Sequence, residues 1–193
     1  MNHLAHLYLA GHSHGLIVGG FIADQVKGLI PGTYSEEVRK GIQLHRMIDA
    51  FTDSHNLVRQ AQRLLPKSFG RSRGIIIDVF FDHLLAEDFQ IISGQQLATF
   101  SMEMQTILKK HNELLPANWA EFFSQSYSAN WLYYYQDLSH CEFILQKIAA
   151  RKRFLPDFTG VSHLLSDHKE ALRELFQLFF PILDEFVQAS KSN

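Results

Sequence analysis

Apolar residues recur at helical spacing along almost the whole chain, while the period-two alternation of half-buried strands is scarce. The pattern predicts an all-α fold, helices joined by short Gly, Pro and Ser breaks. A first helix is expected over about Asn2 to Ala10, and a second from about Ser13 through Val26, ending at Gly28 before the Pro31-Gly32 turn. Ser35 reads as an N-cap, because Glu36 and Glu37 follow in the first turn, where carboxylates favour the macrodipole. The third helix then continues to about Phe51. A fourth, from about Ser54, stops at Pro66, and a fifth spans about Ser72 to Asp88. This fifth helix carries Ile75-Ile76-Ile77-Asp78-Val79-Phe80-Phe81, is apolar all round and is therefore expected at the centre. Further helices are expected at about Gln95 to Leu114, Trp119 to Ser126, Asn130 to Tyr135, Leu138 to Phe154 and Val161 to Ser190. Pro181 falls inside the last one and should kink or interrupt it.

Composition narrows the class. A chain of 193 residues, 46% hydrophobic with 16 Phe, suffices for a core and fits a single-domain helical bundle without repeats, low-complexity tracts or linkers. Eighteen basic against twenty acidic side chains leave a formal charge of -2, so no global cationic field draws the chain to nucleic acid or an anionic membrane. An anionic partner must be met by a local patch. Cys141 is the only cysteine, which excludes an intrachain disulfide and makes the reducing cytoplasm the expected location. The first 25 residues lack a cationic leader segment and carry His3, His6, His12 and His14, unlike a secretory signal. The apolar stretch Gly15 to Ala23 is shorter than the about 20 residues that span a bilayer.

Chemistry enters through the carboxylates and imidazoles. Asp78 and Asp82 lie four residues apart on the fifth helix and project about 40° apart around its axis. Two anions on one apolar stripe need compensation, because desolvating a carboxylate is costly and a like charge one turn away adds to it. A divalent metal is one solution, since hard ions take carboxylate oxygens together with imidazole nitrogens. Pairing with arginines or capping of backbone amides is the other, and the helix alone leaves both open. On the third helix His45 and Asp49 repeat the four-residue spacing, with Asp53 a further turn along. His6 and Asp24, each among apolar neighbours, complete a candidate sphere. His83 points about 100° away from Asp82 and suits a supporting or acid–base role as well as ligation. His3, His12 and His14 are expected to be solvated.

The segments Asn2-x-Leu4-Ala5-His6-Leu7, Gly19 with Ala23-Asp24-x-Val26-x-Gly28, Gly41-Ile42-x-x-His45-Arg46-x-Ile48-Asp49-x-x-Thr52-Asp53, and Asp78-Val79-x-x-Asp82-His83-x-Leu85 resemble, in order, the acyl carrier protein phosphodiesterase family. The likeness continues through Trp131-Leu132, Tyr135, Asp137 and Ile148-Ala149-Ala150-Arg151, and so covers nearly the whole chain. One departure is Leu145-Gln146-Lys147-Ile148, where the family tends to have a small Asn-Gly turn. The resemblance implies an all-helical fold similar to the HD-domain phosphohydrolases. The activity it implies is removal of 4'-phosphopantetheine from holo-acyl carrier protein, with manganese as the metal and magnesium or another divalent cation as substitutes.

Hydrolysis of such an ester must expel a serine alkoxide, a poor leaving group, which calls for a metal that activates water and neutralises phosphate oxygens. His6, His45, Asp49, Asp78 and Asp82 are the expected ligands or their immediate support. Asp24 is expected as a further ligand or base, and His83 as a proton donor to the leaving oxygen. Arg46 is expected to hold Asp49 or Asp53, or to meet the phosphate. Carrier proteins are acidic, and two basic clusters are candidates for meeting them: Arg71 with Arg73, and Arg151, Lys152 and Arg153. The aromatic group Trp131, Tyr133, Tyr134 and Tyr135 is either core or the lining of a pantetheine groove. Two competing readings are a hydrolase of a nucleotide or other small phosphodiester, and a helical module that binds carrier protein without cleaving it.

Overall fold

Short polar side chains open the first three helices where the sequence predicts. Asn2 Oδ1 accepts from the His3 amide at 2.9 Å, Ser13 Oγ from Leu16 at 3.3 Å, and Ser35 Oγ from Val38 at 3.4 Å. The computed structural model describes residues 1–124, 130–151 and 155–191. Among these the chain forms α1 (His3–Ala10), α2 (His14–Ile22), α3 (Glu36–Ser54), α4 (Asn56–Leu64), α5 (Arg73–Glu87), α6 (Phe89–Ser93), α7 (Leu97–Lys110), α8 (Ala117–Ser124), α9 (Leu138–Arg151), α10 (Val161–Asp167) and α11 (Lys169–Lys191). No strand occurs among the described residues, and the all-α class holds.

Several boundaries differ from expectation for local reasons. The second helix stops at Ile22 and tightens into a 3-10 turn, Ala23–Gln25, which turns Asp24 out of the helix axis. Asn112–Leu114 and Tyr133–Gln136 are likewise 3-10 turns rather than α-helix. The short α6 was not anticipated; it ends at Gly94, which adopts the left-handed conformation that glycine accepts without strain. The long C-terminal segment breaks at His168, between α10 and α11, and not at Pro181. Pro181 lies within α11 on its exposed side, and Gln177, whose carbonyl the proline cannot serve, is exposed to water.

The centre of the molecule is α5, as its apolar girth predicts. Ile76, Ile77, Val79, Phe80, Phe81, Leu84, Leu85 and Ala86 are all buried, and each such Ile or Phe stabilises the fold by about 1.5–3 kcal/mol relative to exposure. Helices α1, α4, α9 and α11 and the 3-10 turn at Tyr133–Gln136 pack around it. Helices α2 and α3 cross at unusually close range. A Cβ on Gly19 would lie 2.1 Å from the Val38 carbonyl oxygen, and one on Gly41 would lie 2.5 Å from that of Leu16. This contact brings the end of α2, and with it Asp24, alongside the turn of α3 that carries His45.

Candidate metal centre

Helix α3 is amphipathic, burying Val38, Gly41, Ile42, His45, Ile48 and Thr52 at three- and four-residue intervals. His45 therefore falls within the apolar stripe, with Asp49 at its edge. On α1 nearly every side chain is buried, and His6 is among them. The His6 and His45 rings stack at 3.8 Å between centroids with 16° between planes. Asp49 bridges them: Oδ1 lies 3.0 Å from His6 Nε2, and Oδ2 lies 3.1 Å from His45 Nε2. Asp24 Oδ1 is 3.8 Å from His45 Nε2 and is largely exposed. Each of His6, His45 and Asp49 offers a ligand atom within 4.8 Å of the other two.

Both His6 nitrogens and His45 Nδ1 are buried without a partner in hydrogen-bonding geometry. Buried polar atoms left in this state are costly, and imidazole lone pairs in the company of a carboxylate are a fit donor set for a divalent cation. The electrostatics agree. Burial holds His6 neutral, its pKa lowered to about 4 despite Asp49. Burial also opposes charge on His45, yet the Asp24 and Asp49 carboxylates beside it outweigh burial and raise the pKa to about 9. The His45 imidazole beside it lowers Asp24 to about 2. For Asp49, burial is overcome by His45 and His6, which hold the carboxyl well below the usual range. The two carboxylates beside His45 give the site a negative potential that favours a cation.

Asp78 and Asp82 share one face of α5, as their spacing predicts, but that face meets the N-terminus of α1. Asp82 is wholly buried and accepts from the amides of Leu4 at 2.7 Å, Asn2 at 3.1 Å and Ala5 at 3.4 Å. These amides open α1 and have no partner within the helix, so a carboxylate from another helix supplies the acceptor and meets the positive end of the dipole. Burial pushes the Asp82 carboxyl up to about 7, with the Met1 ammonium and the amides pulling the other way. Asp78 Oδ1 lies 2.7 Å from the Met1 ammonium. The contacts of these two are those of amide capping and ion pairing, the alternative that the sequence left open beside metal ligation. The positive charge beside them is the helix terminus and the ammonium, on the helix that carries His6.

The other expected residues are placed as follows. Arg46 donates to the Val26 carbonyl at 2.7 Å, fastening α3 to the segment just after Asp24 instead of meeting Asp49 or Asp53. His83 is buried, with Nδ1 2.8 Å from the Tyr135 carbonyl oxygen and Nε2 3.5 Å from Glu87. Burial lowers its pKa, with the Tyr135 carbonyl and Glu87 pulling the other way. Arg73 turns onto its own neighbourhood, donating to the carbonyls of Gly70 and Gln62, while Arg71 is exposed. The side chain of Arg151, together with Lys152 and Arg153, lies outside the described residues. His12 and His14 are exposed as expected, whereas His3 packs edge-on against Trp119 and Trp131, at 5.2 and 5.8 Å between ring centroids. No helix among the described residues is long and apolar enough to cross a membrane.

Comparison with known proteins places these residues in a family. Residues 1–183 match the family described as acyl carrier protein phosphodiesterase. A protein of that name from Yersinia pestis is 32% identical over 184 residues, 95% of each chain. One from Photorhabdus laumondii is 32% identical over 186 residues, 96% of this chain and 94% of its own, and one from Escherichia coli is 30% identical over 196 residues, 99% and 98%. No solved structure matches significantly, so the likeness to HD-domain phosphohydrolases remains a sequence expectation. With its fold and its His6, His45 and Asp49 cluster inside the matched span, this chain belongs to the acyl carrier protein phosphodiesterase family.

Proposed function

We propose that the protein hydrolyses the phosphodiester joining 4'-phosphopantetheine to a serine of holo-acyl carrier protein, using a divalent cation held by His6, His45 and Asp49. The observation that carries this reading is the stacked pair of buried imidazoles bridged by one carboxylate. Water forms a bond to phosphorus, the bond from phosphorus to the serine oxygen breaks, and the proton lost by water balances the one gained by the serine alkoxide. The products are apo-carrier protein and 4'-phosphopantetheine. A bound divalent ion supplies Lewis acidity there, lowering the pKa of water and neutralising phosphate oxygens. Manganese suits the mixed set of nitrogen and oxygen donors, and magnesium is the alternative.

The remaining residues position and orient. Asp24 is the proposed acceptor that aims the attacking water, a role supported by its low pKa, its exposure and its position next to His45. Arg46 keeps the Asp24 segment against α3, and Asp82 and Asp78 keep α1 in register. Arg71 and its neighbours, with the cluster at Arg151 and Arg153, are the proposed contacts for the acidic carrier protein. The test is a substrate panel with manganese present: holo-acyl carrier protein, cyclic nucleotides and bis(p-nitrophenyl) phosphate. The proposal predicts apo-protein as the main product, and faster turnover of the nucleotides would overturn it.

A further inference from the structure

Next to the candidate centre lies a cavity of about 590 Å³, within the range of about 300–1,000 Å³ typical of small-ligand sites. It is bounded by the start of α1, by α8, by the 3-10 turn Tyr133–Gln136 and by α9, and the metal ligands are not part of its wall. Trp119, Trp131, Phe122, Tyr134, Phe143 and Ile144 make it mainly apolar. Two features show what it lacks. Asn2 Nδ2 and Trp131 Nε1, both on cavity-lining residues, are buried donors without a hydrogen-bond partner. A buried donor of this kind is expensive until an acceptor arrives.

His3 links the wall of the cavity to the neighbourhood of the centre. It lines the cavity, packs edge-on against Trp119 and Trp131, and lies close enough to Asp24 that its charge acts on that carboxyl. Asp24 in turn reaches His45. A ligand anchored at the metal by a phosphate would thus pass His3 and run between aromatic walls. At the far side Tyr134 and Phe143 are half-exposed, so the cavity opens to solvent there.

On the carrier-protein reading proposed above, we infer that this cavity receives the pantetheine arm of the substrate. The arm is thin and mostly aliphatic, which suits the aromatic walls, and its two amide carbonyls are the acceptors that Asn2 Nδ2 and Trp131 Nε1 lack. A plain hydrocarbon chain would fill the walls but leave both donors unpaired.

Trp119 and Trp131 are the only tryptophans in the chain and both line the cavity, so intrinsic fluorescence reports its occupancy. Titration of the full-length protein with free pantetheine should give a saturable change in emission, and hexanethiol should bind at least about 5-fold more weakly, the worth of one hydrogen bond. Trp131→Phe keeps the aromatic wall, removes the donor and should weaken pantetheine binding by about the same factor. Ile144→Phe narrows the cavity and should raise KM for holo-carrier protein about 10-fold with a much smaller effect on kcat. Thermal melting checks that each variant folds, and Trp131→Phe carries the test should the bulkier variant not fold. No fluorescence response to pantetheine at millimolar concentration, with KM unchanged in the folded variants, overturns the inference, as does equal binding of hexanethiol. Failure to cleave holo-carrier protein would sink the proposed function instead, whatever the titration shows.

Discussion

Asp82→Ala separates a helix-holding role from metal ligation. The carboxylate is fully buried and is the acceptor for three amides at the start of α1, two at 2.7 and 3.1 Å and one at a longer 3.4 Å. Leaving a buried donor without an acceptor costs about 1–3 kcal/mol. The two shorter bonds dominate, and removing a carboxyl that burial has already pushed up to about 7 returns part of the loss. The net expectation is a destabilisation of about 2–4 kcal/mol in the metal-free protein. Urea unfolding of chelator-treated protein measures it, and Asp82→Asn, which retains one acceptor oxygen, should lose less. Manganese affinity should also fall, as a consequence of a looser α1 carrying His6. The reasoning is refuted if the metal-free stability of Asp82→Ala is unchanged while manganese binding collapses, because that pattern belongs to a direct ligand.

Other consequences follow from the same geometry. His6→Ala should weaken manganese binding by about 100-fold or more, read by calorimetric titration. Asp24→Asn should lower kcat by about 10²-fold or more and change metal affinity far less, if its part is to aim the water. Gly41→Ala places a Cβ 2.5 Å from the Leu16 carbonyl oxygen, so α2 and α3 must part. A loss of at least about 1–3 kcal/mol, seen by thermal melting, should accompany weaker metal binding. Glu87 is partly exposed and sits between Lys169 and Arg173; burial opposes its ionisation, but these cations and His83 prevail and lower its pKa below the usual 4.5. A depressed folded pKa means that its stabilisation, on the order of 1 kcal/mol after solvent screening, is present above pH 4.5 and lost as pH falls below it. Glu87→Gln should flatten that acid limb of the stability profile.

Local patterns proved legible where the causes are local. The caps at Asn2, Ser13 and Ser35 sit where short polar residues precede apolar periodicity, and the apolar girth of α5 marked it as central. The four-residue spacing of His45 and Asp49 put both on one face of α3, and they do converge. Spacing on a single helix says nothing of what stands opposite. Asp78 and Asp82 have the same signature as a metal pair, but their partners are the amides and ammonium of a helix about eighty residues away. His83 likewise meets a carbonyl 52 residues distant, and His3 looked solvated until Trp119 and Trp131 came to surround it. The helix break at His168 instead of Pro181 has a similar origin. An exposed face tolerates a proline whose missing N–H leaves a carbonyl to water, so the residue type alone did not place the break.

The central claim is that His6, His45 and Asp49 hold the cation on which phosphodiester hydrolysis depends. Intact-mass spectrometry of holo-acyl carrier protein tests it directly, with wild-type protein and Asp49→Asn incubated with manganese in the presence and absence of chelator. The account predicts conversion to apo-protein by the wild type with manganese, none with chelator, and little by Asp49→Asn at any manganese concentration that saturates the wild type. Full conversion in chelator, or by Asp49→Asn at the same manganese concentration, would contradict it.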